Sequence, residues 1–203
     1  MALDTYSDLS TAITDWLDDS SLSTSVDTFI RLAEARFNRV IRHVDMEAFT
    51  TLSATGESVA LPTDALGIRT MWIDGSPDDQ LEELSLPALK QLYGGAAGTP
   101  LAYAVAGGNI FLGPVPSSAT LQTAYYSKIA NLSSSDTPNW LFTSHPDIYL
   151  LASLVAAELR GWNDSRLPLL KSALDEALGE LERAGQNKRY GGAPLQARAA
   201  VSA

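Results

Sequence analysis

Apolar residues recur at helical spacing at both ends of the chain, and the spacing tightens to an alternation in the middle. Near the start, Tyr6, Leu9, Ile13 and Trp16 fall on one face of a helix. Asp4, Ser7 and Asp8 occupy its first turns, where negative charge suits the helix dipole. "DDSSLSTS" breaks the pattern. A second stripe follows in Val26, Phe29, Ile30, Ala33, Phe37, Val40, Ile41 and Val44. Thr24 and Asp27 have the spacing of a capping box for this helix. Arg31, Arg39 and Arg42 fall on the side opposite the stripe, and Arg36 lies near its edge. His43 closes the segment, where a cation suits the C-terminal dipole.

From Glu47 the period changes. "TTLSATGESVALP" reads as a hairpin turning near Gly56, and "GIRTMWIDGSPDDQLEEL" as another turning at Asp74-Gly75. "SLPALKQLYGG" is a short helix with Ser85 as cap, Pro87 in the first turn and Gly94 as stop. "LAYAVAGGNIFLGPVP" is the clearest hairpin, and "ATLQTAYYSKI" alternates again. Together these predict a small antiparallel sheet or barrel of about five or six strands.

The chain then returns to helix. In "NWLFTSHPDIYLLASLVAAEL", Ser144 is a preferred N-cap, Pro146 is tolerated in a first turn, and Asp147 sits where it can reach back to the cap. That grammar leaves His145 with no chemical task. Ile148 to Trp162 is apolar on nearly every face, as in a central helix. Glu158 interrupts it and calls for an Arg on a facing helix, such as Arg36, or a neighbouring subunit. Ser165 to Ala184 forms the last helix, ended by Gly185, and the remainder has no core pattern. Helices from both ends pack together only if the strands loop out between them. The predicted class is therefore α+β: mainly a helical bundle with an inserted small antiparallel β domain and a flexible C-terminal tail. The predicted boundaries are 1–46 and 132–185 for the bundle, 47–131 for the β domain and 186–203 for the tail.

Composition narrows the chemistry. The formal net charge of −10 argues against a basic nucleic-acid-binding surface. There is no Cys, hence no disulfide framework or thiolate site. The N-terminus lacks the basic and apolar regions of a signal peptide, and the longest apolar run is too short to span a membrane. These features predict a soluble intracellular protein. His43 and His145 do not share ligand spacing, and Ser144, His145 and Asp147 point in different directions on one helical turn. The acidic pairs Asp18-Asp19, Asp78-Asp79 and Glu82-Glu83 fall in or beside predicted turns, where solvated acids are common. "AGGN" lacks the lysine of a phosphate loop. No catalytic, cofactor-binding or metal-ligating residue is assigned. Arg31, Arg39 and Arg42, interleaved with acids such as Glu34, read as a solvated face paired with local acids; the sharper reading is a docking face for an acidic neighbour.

The order of these elements resembles the head-to-tail adaptor proteins of tailed bacteriophages, also called head completion or connector proteins. The carrying stretches are "DTFIRLAEARFNRVIR", "VALPTDALGIRTMWIDG", "YAVAGGNIFLGPVP" and "NWLFTSHPDIYLLASLVAAEL". The resemblance implies a virion protein, present in the host cytoplasm during assembly. It implies a homo-oligomeric ring, commonly a dodecamer, beneath the portal protein and above tail or nozzle proteins. DNA would pass through without being specifically bound, and no membrane is involved. Chain ends often contact the portal or a neighbour in that family, so Lys188, Arg189 and Arg198 join the three arginines as candidate docking residues. The alternative is a phage-associated cell-wall hydrolase with an acidic site, for which a Glu/Asp pair across a cleft is required.

Overall fold

The structure, a computed structural model, describes residues 3–18, 20–134, 137–161 and 165–190. The chain divides into two compact units, Met1–Asp45 with Ile129–Ala203, and Met46–Lys128. The described helices are α1 (Tyr6–Leu17), α2 (Val26–Val40), α3 (Leu86–Tyr93), α4 (Trp140–Ser144), α5 (Pro146–Gly161) and α6 (Leu167–Tyr190). The strands are β1 (Glu47–Ala54), β2 (Ser58–Ala60), β3 (Ala65–Ile73), β4 (Ser76–Gln80), β5 (Glu82–Glu83), β6 (Ala102–Ala106), β7 (Asn109–Gly113) and β8 (Ala119–Ser127). The class is α+β, as the change of period predicts.

In the helical unit, α5 packs against α1, α2 and α6. That position explains why Ile148, Tyr149, Ala152, Leu154 and Val155 are all buried and why α5 has no polar face to spare. Thr5 and Asp8 make a reciprocal capping box on α1: the Thr5 hydroxyl accepts from the Asp8 N–H, and the Asp8 carboxylate accepts from the Thr5 N–H. The box expected at Thr24 and Asp27 does not form. Residues Ser20–Ser25 wind into a 3₁₀ turn, so Thr24 is not in the extended conformation a cap needs. Asp27 instead accepts the Tyr6 hydroxyl, whose pKa is pushed up to about 12 by burial and by that carboxylate.

Three readings of the C-terminal half are corrected. Ser144 does not open the apolar helix; it is the last residue of α4, and α5 begins at Pro146. Asn139 caps α4, the short helix before it. Its Oδ1 accepts from the Phe142 N–H at 2.9 Å, and its Nδ2 donates to the Ala130 carbonyl at 2.6 Å and the Tyr149 hydroxyl at 2.7 Å. Asn139→Ala is therefore expected to cost about 2 kcal/mol, while Ser144→Ala and His145→Ala stay within about 0.5 kcal/mol of the parent. Urea titrations of the three variants check the ranking. Glu158 pairs with Arg166, at 3.5 Å, and not with Arg36, which is held by Asp175 at 3.2 Å. Gly185 does not end the last helix: α6 runs through it to Tyr190. Gln186 to Tyr190, expected in a flexible tail, are helical, and residues 191–203 lie outside those described.

The second unit holds two four-stranded sheets, ordered β1-β8-β3-β4 and β2-β7-β6-β5. Pairing is antiparallel except between β5 and β6, which run parallel. There are eight strands among the described residues, more than the alternation reveals, because β2 and β5 are only two or three residues long. Ala54, Met71, Leu81, Tyr103, Ile110, Leu112 and Leu121 form the shared core. The turns at Gly75 (φ 84°) and at Gly107-Gly108 (φ 56° and 77°) form where expected, since left-handed φ values favour glycine. The turn near Gly56 is not a hairpin. β1 pairs with β8, Leu52 opposite Leu121, and β2 pairs with β7, so the chain passes there from one sheet to the other. Ser85 caps α3 and Gly94 ends it in the left-handed conformation, as predicted.

Candidate functional site

α2 buries Val26, Phe29, Ile30, Ala33 and Phe37 and leaves Arg31, Leu32, Ala35 and Arg39 exposed on the opposite side. The placement of Arg31 and Arg39 follows from the 3.6-residue period. Arg42 lies just past the helix, exposed, and its Nη1 donates to the carbonyls of Asn38 (3.0 Å) and Ile41 (2.6 Å). It caps the C-terminal carbonyls of α2 while keeping its charge at the surface.

Glu34 does not interleave with this stripe. Its side chain is turned inward and is 3% exposed. There it accepts the Leu132 N–H at 2.5 Å, and the Tyr149 hydroxyl lies near it. Burial pushes the Glu34 carboxyl up from its ordinary value, and these donors together with Arg31 pull it back. Beyond Asp27 at its first turn, the outer face of α2 is consequently basic.

The far end of α2 meets the far end of α6. Arg36, Arg42, His43, Asp175, Glu182 and Arg189 line a cavity of about 420 Å³ there, with Ile41, Leu178 and Leu181 as its apolar wall. His43 is not the exposed cation expected from the dipole argument. It lies beyond the end of α2 and is 6% exposed. Its ring stacks on Trp140, with centroids 5.1 Å apart. Its Nδ1 accepts from the Asp45 N–H at 3.2 Å, and its Nε2 is buried with no hydrogen-bond partner among the described residues. Burial pushes the imidazole pKa down, against the pull of Asp45 and with help from Lys188, His145 and Arg189.

The ring fits only because residue 185 is glycine. A Cβ there would stand 2.4 Å from His43 Cδ2 and 2.7 Å from Nε2. This is a close approach inside a helix, and it gives Gly185 a role that its place near a helix end concealed.

Of the candidate docking residues, Arg42, Lys188 and Arg189 come to this end of the unit, Arg31 and Arg39 stand along the open face of α2, and Arg198 lies outside the described residues. Lys188 forms an ion pair with Asp45. Asp45, which ties Lys188 to the His43 loop, carried no signal in the sequence beyond its charge. Among the described residues, no group of three or more His, Asp or Glu side chains is placed to hold a metal ion. No helix among them is long and apolar enough to cross a membrane. The arrangement offers charged faces and a polar-rimmed cavity, which suit protein contacts.

Comparison with known families agrees with that character. The family model described as SU10 adaptor protein matches residues 4–198. No match was found among curated proteins. The match covers nearly the whole chain, and the protein belongs to this family of bacteriophage head-to-tail adaptors.

Proposed function

We propose that this structural adaptor forms a ring beneath the portal, joins head to tail and continues the DNA channel. The family match over residues 4–198 carries the reading. Its partners are further copies of the chain, the portal protein and tail or nozzle proteins. A dodecamer is the expected ring, assembled in the host cytoplasm and retained in the virion. The helices act as a bundle into which the β unit is inserted. A net charge of −10 per subunit, multiplied around a ring, suits a conduit that passes DNA without retaining it.

Lys188, Arg189 and Arg198 are proposed to contact the portal or a neighbour. Because α6 continues to Tyr190, a chain ended after Tyr190 tests the last segment without cutting the helix. The full chain mixed with purified portal protein is expected to give a ring stacked on the portal by cryo-electron microscopy. The chain ended after Tyr190 is expected to fold but to join the portal poorly. A full chain that remains monomeric with portal in excess overturns the ring reading. The ring is further expected to bind duplex DNA no more tightly than micromolar at physiological ionic strength, where screening limits electrostatics to about 8 Å. Fluorescence titration checks this, and tight binding that weakens steeply with salt would contradict it.

A further inference from the structure

We infer that neighbouring copies of this chain join head to tail through α1 and α2, the aspartate face of one copy lying against the arginine face of the next. The inference rests on the ring reading above and names the surfaces that would close it.

The two faces are opposite in charge and alike in spacing. The outer face of α2 runs through Thr28, Arg31, Ala35 and Arg39, and Arg42 extends it beyond the helix end. Of the two acids in α2, Asp27 at its first turn is exposed and accepts the Tyr6 hydroxyl, and Glu34 is buried. Leu32, 53% exposed, adds apolar area among the cations. α1 contains neither Lys nor Arg. It buries Leu9, Ala12 and Ile13, and its other side carries Asp4, Asp8, Thr11, Asp15 and Asp18. At 1.5 Å per helical residue, each stripe is about 20 Å long. Asp8 is occupied by Thr5. Asp4, Asp15 and Asp18 are exposed, and among the described residues they, like Arg31 and Arg39, enter no salt bridge within the subunit.

A second copy is the occupant that covers both faces at once. A heterologous contact joins two different patches, and every subunit supplies one of each. In a closed ring no aspartate face and no arginine face is left over. DNA on the arginine face would leave the aspartate face uncovered and would set it close to phosphates. Complementary charges of this kind set register and speed encounter, and like charges in the same place oppose it.

The test reverses each face in the full chain, using exposed residues that enter no salt bridge among those described; because Arg31 also acts on the buried Glu34 carboxyl, Arg39→Glu alone accompanies the first variant. Arg31→Glu with Arg39→Glu forms one variant, and Asp4→Lys with Asp15→Lys a second. A third carries all four substitutions. Arg42 is left intact because it caps α2. Assembly is read by sedimentation velocity at about physiological and at high salt, with and without portal protein. Melting curves verify that each variant is folded. Either reversal alone is expected to weaken assembly by roughly tenfold or more, and the four together are expected to restore it. A parent chain that never assembles, even with portal, removes the ring reading and this pairing together. A parent that forms rings while both reversed variants also do so overturns the pairing alone, as does failure of the fourfold variant to recover. Arginine reversal that spares assembly but abolishes DNA retention also overturns it, and assigns that face to DNA.

Discussion

Glu34→Ala is expected to cost the helical unit about 3 kcal/mol, more than any surface change in this chain. The carboxylate accepts the Leu132 N–H at 2.5 Å, in a part-buried stretch, and the buried Tyr149 hydroxyl stands close enough to act on its ionisation. Tyr149 is fully buried, and its hydroxyl also receives the Asn139 amide. Removing Glu34 leaves the Leu132 N–H without its acceptor, at about 1–3 kcal/mol of desolvation, and opens a void beside the Tyr149 hydroxyl. Glu34→Gln keeps an acceptor oxygen and is expected to lose far less. The two variants also separate the charge from the hydrogen bonds. Burial raises the folded-state pKa of Glu34 above its ordinary value of 4.5, so the native state holds this proton more tightly than the unfolded chain does. The stability it contributes is present below the ordinary value and is lost as pH rises through the raised one. Glu34→Gln should flatten that decline. Urea denaturation at a series of pH values measures both effects, and an unchanged slope in the Gln variant would contradict the assignment.

Gly185→Ala is expected to destabilise the same unit by about 2–3 kcal/mol, the reverse of what helix propensity alone predicts. In an exposed helix position alanine is preferred over glycine by about 1 kcal/mol. At residue 185 the new Cβ falls 2.4 Å from the His43 ring, which is stacked on Trp140 and held through Nδ1 by Asp45. The ring has nowhere to retreat without breaking one of those contacts. Gly179 provides the control. It lies in the same helix, and a Cβ there meets nothing within 4 Å. Gly179→Ala is expected to stabilise by up to about 1 kcal/mol. Opposite signs in the two melting shifts support the close-approach reading; matching signs would refute it.

Much of the adaptor's local structure is written in short stretches of its sequence. The helical period of "VDTFIRLAEARF" places Arg31 and Arg39 opposite the buried stripe without reference to any partner. Ser85, Pro87 and Gly94 bound α3 because a cap, a first turn and a left-handed stop each depend on a residue's own backbone preferences. Gly75 and Gly107-Gly108 turn their hairpins for the same reason. The family, too, is carried by the order of such elements. What adjoins what could not be read this way. Ser144 has the chemistry of a cap for α5 but ends α4, the short helix that Asn139 starts, and Asn139 is fixed there by two further hydrogen bonds to Tyr149 and Ala130. Glu34 has the polarity of a surface residue, and only Leu132, 98 residues away, draws it inside. The same distance hides the register of β1 on β8 and the ring of His43 against Gly185. Backbone preference acts over a few residues and is legible there. The choice among chemically equal partners is made by packing between distant segments, and only the tertiary structure of this protein decides it.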